Sequence, residues 1–365
     1  MSTAAPDKAD RMTLTDLGWT PALAEAFEPY KAQGLVPARV AVAYGATFRV
    51  LTEDGDELAD VPGRMRHEAR GRRDLPAVGD WVALRPADVP GGRATIQAIL
   101  PRTSLFSRKA AGDETAEQVL AANVDTAFLV TGLDHDFNLR RLERYLALTW
   151  ESGATPVILL NKADLTTTLD QQVAQVREIA PDVPVHAISA RENRGLDALT
   201  PYLQPGRTVV VLGSSGVGKS TLINRLLGEE RLKTGEVRAS DHRGRHTTTH
   251  RELVVLPGGA LLIDTPGMRE LHLWSADAGL DEAFEDIAEI ARECHFTDCR
   301  HENEPRCAVK AAVAGGRLSA GRLENYRKLQ AELRALAERR EMLRKKSEKM
   351  ATKALRKHLQ TKGQS

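Results

Sequence analysis

Residues 213–220, Gly-Ser-Ser-Gly-Val-Gly-Lys-Ser, match a phosphate-binding loop, and their flanks restrict the folds that can contain it. The apolar run 208–212 predicts a buried strand before the loop, and residues 221–227 predict the start of a helix after it. In that setting the glycines let backbone N–H groups turn towards phosphate oxygens, and the helix N-terminus adds a positive dipole. The segment therefore predicts an α/β nucleotide-binding domain. A Gly/Ser-rich turn with a chance lysine is the simpler alternative.

The polar groups of this loop have distinct expected roles. We expect Lys219 to reach the β- and γ-phosphates and to act in catalysis, and the Ser220 hydroxyl to hold Mg²⁺. The remaining predicted nucleotide contacts in the loop are Gly213, Ser214, Ser215, Gly216, Val217, Gly218 and Thr221.

A second phosphate-side motif, Asp-Thr-Pro-Gly at 264–267, follows the apolar run 260–263. Asp264 is therefore expected at the carboxyl end of a strand, where its carboxylate can hold Mg²⁺ through water. The backbone N–H of Gly267 can meet a γ-phosphate. Together with the phosphate loop, this motif predicts a nucleoside triphosphate bound with Mg²⁺.

The base is predicted from a third motif, Asn161-Lys162-Ala163-Asp164, which follows the apolar run 156–160. The Asp164 carboxylate complements the N1 and N2 donors of guanine, and Asn161 can address the acceptor edge. Adenine would leave Asp164 without a partner, and an unpaired buried carboxylate is costly. The motif therefore predicts GTP rather than ATP.

A weaker base-side element closes the predicted strand 183–188. Ser189 and Ala190 follow that strand, and a backbone N–H there could reach O6 of guanine. The four-residue Asn-Lys-x-Asp pattern is weak alone, and Ser-Ala is weaker. Their positions at strand ends, beside the phosphate motifs, make the combination specific.

The order of these elements along the chain is unusual. The base-reading residues 161–164 and 189–190 precede the phosphate loop, whereas ordinary small GTPases have the phosphate loop first. Such a permutation is sterically reasonable because the nucleotide-site loops lie together at the carboxyl ends of parallel strands. The order predicts a circularly permuted GTPase domain.

A cysteine cluster follows this domain. All three cysteines of the chain lie in the pattern Cys294-x4-Cys299-x-His301-x5-Cys307. The chain shows no signal peptide or transmembrane stretch, so we expect a cytoplasmic protein in which disulfides are disfavoured. An odd number of cysteines with a histidine predicts a Cys₃His zinc site, and no water-activating carboxylate accompanies it, so the zinc is expected to be structural.

Two alternatives to this zinc site remain. The cysteines could be reduced, with a histidine at the surface. His295 is a competing ligand, but its side chain abuts Cys294, so His301 is preferred.

These residues together resemble a known family, the small ribosomal subunit biogenesis GTPase A family of circularly permuted, ribosome-small-subunit-dependent GTPases. The resemblance covers nearly the whole chain. It includes the three nucleotide motifs in their order, the Gly-Arg-His-Thr-Thr-Thr switch at 244–249, the segment 119–125 and the Cys₃His spacing. It implies an N-terminal OB-fold, a GTPase and a C-terminal zinc domain. It also implies GTP hydrolysis stimulated by the small ribosomal subunit, in late maturation of that subunit.

The remaining sequence supports a multidomain chain. Short alternating runs between residues 38 and 100 predict about five strands, which suits a small all-β barrel of the OB type. Asp54-Gly55 predicts a hairpin turn between two of these strands. Leucines at three- and four-residue steps after Leu318 predict a C-terminal helix with Ser319 as a plausible N-cap. The predicted divisions are an N-terminal extension 1–37, an OB-fold barrel 38–108, an α/β phosphate-loop GTPase 109–273, an α-helical zinc-binding domain 274–343 and a basic helical tail 344–365. Residues 101–109 are expected to link the barrel to the GTPase.

Basic residues are concentrated in two segments, although the formal net charge of the chain is only +1. A predicted barrel loop carries five arginines at 64, 66, 70, 72 and 73, and the tail after residue 343 is rich in lysine and arginine. Such segments are often merely solvated, and the tail could be disordered. The functional alternative is contact with RNA phosphates. The expected partners are the small ribosomal subunit and its rRNA, with no membrane, and the protein is expected to be monomeric.

The hydrolytic residues are predicted from the switch segment and from the position after Gly267. Many GTPases place a glutamine after the Asp-x-x-Gly glycine, and this chain has Met268 there. We expect slow intrinsic turnover, with His246 supplying the missing polar group, a role that the resemblance supports. Thr249 is the expected switch threonine, with Thr248 as the alternative. A GTP-binding scaffold with negligible hydrolysis and a related GTPase of the large subunit are the competing functions.

Overall fold

The computed structural model describes residues 12–69, 71–87, 89, 91–110, 113–230, 251–264 and 278–362. Only the backbone is described at 108–110, 113–116, 264, 278, 340, 343–344, 346–348 and 350–362.

The described N-terminal part begins with a helix, followed by five strands. The helix is α1 (Pro21–Lys31), and the strands are β1 (Val36–Tyr44), β2 (Thr47–Thr52), β3 (Gly55–Asp60), β4 (Trp81–Arg85) and β5 (Ala94–Ile99). The Thr20 hydroxyl caps α1 by accepting a hydrogen bond from the Leu23 N–H, and Leu23 and Phe27 are buried. The predicted hairpin at Asp54-Gly55 is confirmed, with Gly55 in a positive-φ conformation.

The five strands close into a barrel. Neighbouring strands follow the order β1-β2-β3-β5-β4, and β4 also pairs with β1. All pairs are antiparallel except β3 with β5. Alternate side chains such as Val40, Val50 and Ile96 fill the interior. The predicted small barrel is therefore confirmed as a five-stranded barrel.

The arginine-rich segment between β3 and β4 is not the open loop that the sequence predicted. It forms a short helix α2 (Gly63–Glu68) and a 3₁₀ turn (Arg72–Asp74). The Arg66 guanidinium donates to the Val61 carbonyl oxygen through Nε at 3.1 Å and Nη2 at 2.8 Å. Arg66 therefore helps to fold this segment.

The segment predicted as a linker, 101–109, is largely a strand. β6 (Leu105–Ala110) pairs with β7 (Asp113–Ala122) in a separate antiparallel hairpin. Phe106 and Ala121, which lie opposite each other in this pairing, are buried in the main core. This burial explains why the segment is ordered as a hairpin, and it means that a boundary at 108/109 would divide one structural unit.

The central sheet has six strands. They are β8 (Thr126–Gly132), β9 (Thr155–Asn161), β10 (Val185–Ala187), β11 (Thr208–Leu212), β12 (Glu252–Val255) and β13 (Leu261–Asp264). Their spatial order is β10-β9-β8-β11-β13-β12, with every neighbouring pair parallel except β12 with β13. Parallel strands buried on both faces explain the continuous apolar runs in the sequence.

Helices follow three of these strands. They are α3 (Leu139–Ser152) after β8, α4 (Leu169–Ile179) after β9 and α5 (Lys219–Leu227) after β11. Side chains that alternate along β8 enter opposite cores, with Leu129 on one face of the sheet and Phe128 on the other. β11 lies between β8 and β13, so the strand before the phosphate loop sits near the centre of the sheet.

The barrel and the central sheet are joined through β1. β1 pairs with β12 at Val42 and Glu252, and the Arg49 guanidinium lies 2.5 Å from the Glu252 carboxylate. The larger contact is made by Arg39 of β1, whose side chain is 1% exposed. Its guanidinium donates to carbonyl oxygens of Leu17 and Asn123 and to the Thr208 hydroxyl at the start of β11.

Four helices complete the described chain. They are α6 (Ala278–Ala283), α7 (Glu285–Ala291), α8 (Ala308–Ala314) and α9 (Ala320–Lys362). The predicted C-terminal helix is confirmed, and its backbone stays helical through the basic segment to Lys362. Near its start, Arg322 binds Glu143 of α3 at 2.7 Å and Asp286 of α7 at 2.7 Å. Within the described residues no helix combines the length and apolar character that crossing a membrane requires.

Candidate functional site

The phosphate loop has a conformation that only glycine tolerates at key positions. Gly213, Gly216 and Gly218 all have positive φ angles, of 151°, 83° and 96°. A Cβ on Gly213 would lie 2.4 Å from the Val130 carbonyl oxygen, and one on Gly218 would lie 2.3 Å from Asn161 Nδ2. The glycines therefore serve both the turn and the close approach of neighbouring loops.

The loop curls around the Lys219 ammonium group. Lys219 Nζ donates to the Gly213 carbonyl oxygen at 2.8 Å and to the Ser214 carbonyl oxygen. Lys219 and Ser220 open α5, and the first turn of a helix leaves backbone N–H groups available to an anion. The structure thus brings the predicted phosphate ligands together at one helix N-terminus.

Asn161 joins three loops of the site. Its side chain is 2% exposed. The amide nitrogen donates to the Val217 carbonyl oxygen at 2.7 Å, and the amide oxygen accepts the Ala190 N–H at 3.0 Å. The sequence predicted that Asn161 addresses the acceptor edge of guanine and that a backbone N–H of the Ser-Ala pair reaches O6. In the structure the Asn161 amide oxygen accepts the Ala190 N–H, and the Asn161 side chain thereby joins closely packed loops.

Asp164 carries an unpaired buried oxygen. Its Oδ1 has no hydrogen-bond partner in the described part of the chain. A hydrogen bond from Ser189 lowers the pKa of the Asp164 carboxyl, against the opposing effect of burial, and the charges of Arg194 and Arg191 lower it further. Asp164 is therefore ionised at neutral pH, and its free oxygen can accept from donors on a base.

A loop that the sequence analysis did not select completes this edge of the sheet. Lys162 Nζ lies 2.6 Å from Oδ2 of Asp134, which follows β8. Two residues on, Asp136 accepts a 2.5 Å hydrogen bond from the Ser214 hydroxyl of the phosphate loop. The signal was present in the sequence, since these carboxylates follow the apolar run 126–132 just as the other site residues follow their strands.

The Asp264 backbone ends β13, which pairs in parallel with β11 through Val210 and Ile263. This register places Asp264 at the same edge of the sheet as the phosphate loop. The predicted residues His246, Thr248, Thr249 and Gly267, together with Met268, lie outside the described residues.

The predicted metal ligands converge on one point. The ligand atoms of Cys294, Cys299, His301 and Cys307 all lie within 4.8 Å of one another. Cys294 Sγ is 3.6 Å from His301 Nδ1 and 3.8 Å from Cys307 Sγ. Such separations are those of atoms around one tetrahedral Zn²⁺, whose ligands would be about 3.4–3.8 Å apart. Three thiols and one imidazole are a donor set that fits zinc.

The surroundings of these residues also suit a metal. Burial lowers the pKa of His301, which favours the neutral imidazole that binds metals. Cys307 precedes α8, and its sulfur accepts the Lys310 N–H at 3.4 Å. His295, the competing ligand, is outside the cluster and packs edge-on against Phe296, with ring centroids 4.8 Å apart. The geometry therefore supports His301 over His295.

Comparison with known proteins identifies the family. The family model described as RsgA GTPase matches residues 99–274. A relative from Opitutus terrae, named small ribosomal subunit biogenesis GTPase RsgA, is 52% identical over 90% of this chain and 92% of its own length. The chain belongs to the RsgA GTPase family. A second RsgA, from Syntrophotalea carbinolica, is 44% identical over 94% of this chain and 96% of its own length.

Solved structures agree with this assignment to RsgA. YjeQ from Thermotoga maritima has a TM-score of 0.62 and 28% identity, covering 82% of this chain and 98% of that structure. YloQ, described as a circularly permuted GTPase, has a TM-score of 0.57 and 27% identity, covering 82% and 96%. The chain is therefore a GTP hydrolase with a circularly permuted GTPase fold, a five-stranded barrel and a possible Cys₃His metal site. The predicted family, enzyme class and permutation are confirmed.

Proposed function

We propose that this chain hydrolyses GTP to GDP and phosphate when the small ribosomal subunit stimulates it, and that it acts in late maturation of that subunit. The names of the relatives supply the subunit. The observation that carries the choice of nucleotide is the unpaired Oδ1 of Asp164, which lies in the loop that Asn161 ties to the phosphate loop. Guanine offers two donors to such an oxygen, whereas adenine offers none at the matching positions.

The proposed phosphate and Mg²⁺ ligands follow from the same geometry. Lys219 would stabilise charge on the β- and γ-phosphates. The Ser220 hydroxyl and the Asp264 carboxylate would hold Mg²⁺, which prefers oxygen ligands. The ion would neutralise charge that develops on the transferring phosphoryl group. Gly267 is proposed to donate its backbone N–H to the γ-phosphate.

Two switch residues are proposed to complete catalysis. His246 would orient the attacking water, because Met268 cannot form the hydrogen bond that a glutamine provides there. Thr249, or Thr248 beside it, would bind Mg²⁺ and the γ-phosphate. Both proposals rest on the family resemblance and on the sequence of the segment.

We further propose that the barrel is an OB-fold, which its strand order and its parallel β3–β5 pair support. Because the hairpin β6–β7 crosses residue 108, we place the start of the GTPase domain before Leu105. The proposed later divisions are a zinc-binding helical domain from 274 to 343 and a basic tail from 344 to 365. The zinc would be structural, since α8 begins directly at the ligand Cys307.

The proposed RNA-binding surface uses the basic segments. Arg64, Arg66, Arg72 and Arg73 are all exposed on the barrel, and of these Arg64 also pairs with Glu68 and Arg66 also donates to the Val61 carbonyl oxygen. The lysines and arginines of the tail would add contacts to rRNA phosphates. We propose that the protein works as a monomer in the cytoplasm.

The test is the GTPase rate measured with purified small subunits, with purified large subunits and with neither, across a salt series. Stimulation by small subunits alone, weakening steeply as salt rises, is expected. Stimulation by large subunits alone would identify a large-subunit GTPase instead, and no stimulation by either particle would favour a GTP-binding scaffold. The Asp164→Asn variant is expected to shift preference from guanine towards xanthine, whose C2 carbonyl accepts the new amide N–H.

A further inference from the structure

The loop between β8 and α3 reaches the nucleotide site through Asp134. The Asp134 side chain is 16% exposed, and its Oδ2 lies 2.6 Å from Lys162 Nζ. Its Oδ1 accepts the backbone N–H of Asp136 at 3.1 Å. Both oxygens therefore have partners, so the carboxylate is fixed in direction as well as in position.

Lys162, the partner of Asp134, has an unusual backbone. It is one of the few non-glycine residues with a positive φ, at 66°. A side chain in the left-handed region strains the backbone, and it persists where surrounding contacts determine it. The turn that follows is closed by the Leu165 N–H, which donates to the Lys162 carbonyl oxygen at 2.9 Å. The direction in which the chain leaves Lys162 sets the position of Asp164.

Gly132 leaves the space that the Asp134 carboxylate occupies. A Cβ on Gly132 would lie 2.7 Å from Asp134 Oδ1 and 3.7 Å from Lys162 Cδ. A side chain there would push the carboxylate away from its place. The end of β8 is thus shaped around the ion pair.

The Asp134 carboxylate is charged at neutral pH. Burial alone would raise the pKa of Asp134, but the hydrogen bond from Lys162, the Asp136 N–H and the positive charge of Lys162 outweigh it, and the pKa is lowered. The pair is therefore an ion pair at neutral pH.

We propose that Asp134 is a positioning residue for guanine recognition, which acts on the base through Lys162 and the turn that carries Asp164. This inference rests on the proposed guanine site. Asp134 does not itself contact the nucleotide. It holds Lys162 in the left-handed conformation, and that conformation directs the unpaired Asp164 oxygen at the donors of the base.

Displacement of Asp164 would change the ratio of the affinities for two related diphosphates. Guanine has donors at N1 and N2, whereas hypoxanthine lacks the N2 amino group. A well-placed Asp164 favours GDP over inosine diphosphate, and a misplaced one loses part of that preference. Loss of general stability would not change the ratio of the two affinities.

The experiment is a double-mutant cycle read by calorimetry with GDP and inosine diphosphate. The variants are Asp134→Asn, Lys162→Met and the double variant, with Asp182→Asn at an exposed site on the same domain as the matched control. Mutation of a residue that supports a ligand-binding group typically changes the affinity by roughly 10–100-fold, as measured at metal sites. We expect Asp134→Asn to weaken GDP binding by about tenfold, at the lower end of that range. The GDP preference should shrink, and the double variant should match Lys162→Met.

Several results would overturn the inference. Unchanged GDP affinity with an unchanged preference in Asp134→Asn would do so, as would losses that simply add in the double variant. If thermal unfolding shows that the Asp134→Asn variant is not folded, the Gly132→Ala variant takes its place. It retains the Asp134 carboxylate but displaces it, and it should give the same reduced preference for GDP. A wild-type protein that binds neither diphosphate would refute the guanine site itself. A wild-type protein that binds GDP, with Asp134→Asn unaffected, would refute only the role of Asp134.

Discussion

Replacing Arg39 by methionine tests how the barrel is held to the GTPase sheet. Arg39 is 1% exposed, and its guanidinium donates to Leu17 O, to Asn123 O at 3.2 Å, to Thr208 Oγ1 at 2.7 Å and to Gly79 O at 3.4 Å. These acceptors belong to the N-terminal segment, to the loop before β8, to the first residue of β11 and to the turn before β4. Methionine retains most of the apolar volume but donates no hydrogen bond.

The expected loss follows from these contacts. A buried polar group left without its partner costs about 1–3 kcal/mol, and Arg39→Met removes the shared donor from three carbonyl oxygens and a hydroxyl. The variant also avoids a cost, because burial lowers the pKa of Arg39 to about 10, a sign that the charge is poorly solvated. We therefore expect a decrease in the free energy of unfolding of about 3 kcal/mol, just below the sum for four acceptors, because removal of the poorly solvated charge offsets part of the loss.

The assay is urea unfolding followed by circular dichroism, with the midpoint and slope compared between variants. Arg177→Met is the matched control, since Arg177 is exposed on α4, and its midpoint should stay close to wild type. The reasoning is refuted if Arg39→Met unfolds at the wild-type midpoint, or if the control loses as much stability.

Three further predictions concern the site. Gly218→Ala should reduce GDP affinity at least about tenfold, since a Cβ there would lie 2.3 Å from Asn161 Nδ2, whereas Gly228→Ala, at positive φ but in open space, should bind GDP normally; equal affinities for GDP would contradict the close packing. A strong chelator should remove one zinc per chain, measured by metal analysis, and should lower the temperature of thermal unfolding. By the same metal analysis, the Cys307→Ser variant should bind no zinc, and the His295→Ala variant should keep it. The pKa values of Asp134 and Asp164 are lowered, so both carboxylates keep their charge above the ordinary carboxyl range; the stability they contribute is present at neutral pH and lost as pH falls through their folded pKa values. The preference for GDP over inosine diphosphate should therefore be flat from about pH 8 to about pH 5, because the phosphates of the two ligands titrate alike. Calorimetry that shows this preference falling near pH 6 would point to a histidine instead.

The sequence predicted those parts of the site that depend on local patterns. The phosphate loop, the Asn161-to-Asp164 motif and the Cys₃His cluster each have a residue spacing that their chemistry requires. Their strand ends were predictable because apolar runs preceded them. The barrel followed from short alternating strands and a hairpin turn at Gly55.

What the sequence did not reveal depends on contacts between distant residues. Arg39 occupies a strand position like many surface arginines, and only the tertiary fold buries it against Thr208, which is 169 positions away. Asp134 has no motif of its own, and its meaning comes from Lys162 across the sheet edge. The sequence did not show that much of the segment 101–109 is a strand, because its pairing partner β7 lies further along the chain. The role of Asn161 at the base stays a prediction, but the motif alone does not show that its amide also joins Val217 and Ala190 of two neighbouring loops.

The length of α9 has a consequence for how the end of the chain behaves in water. The helix has 43 residues, and its buried side chains among those described end at Leu336. At 1.5 Å per residue, the 26 residues beyond Leu336 extend for about 40 Å. A helix without an apolar contact face is only marginally stable, because propensity alone barely offsets the cost of starting it. Amide hydrogens should therefore exchange with solvent progressively faster towards Lys362, and protection appearing along this stretch would mark the moment when another molecule lies against it.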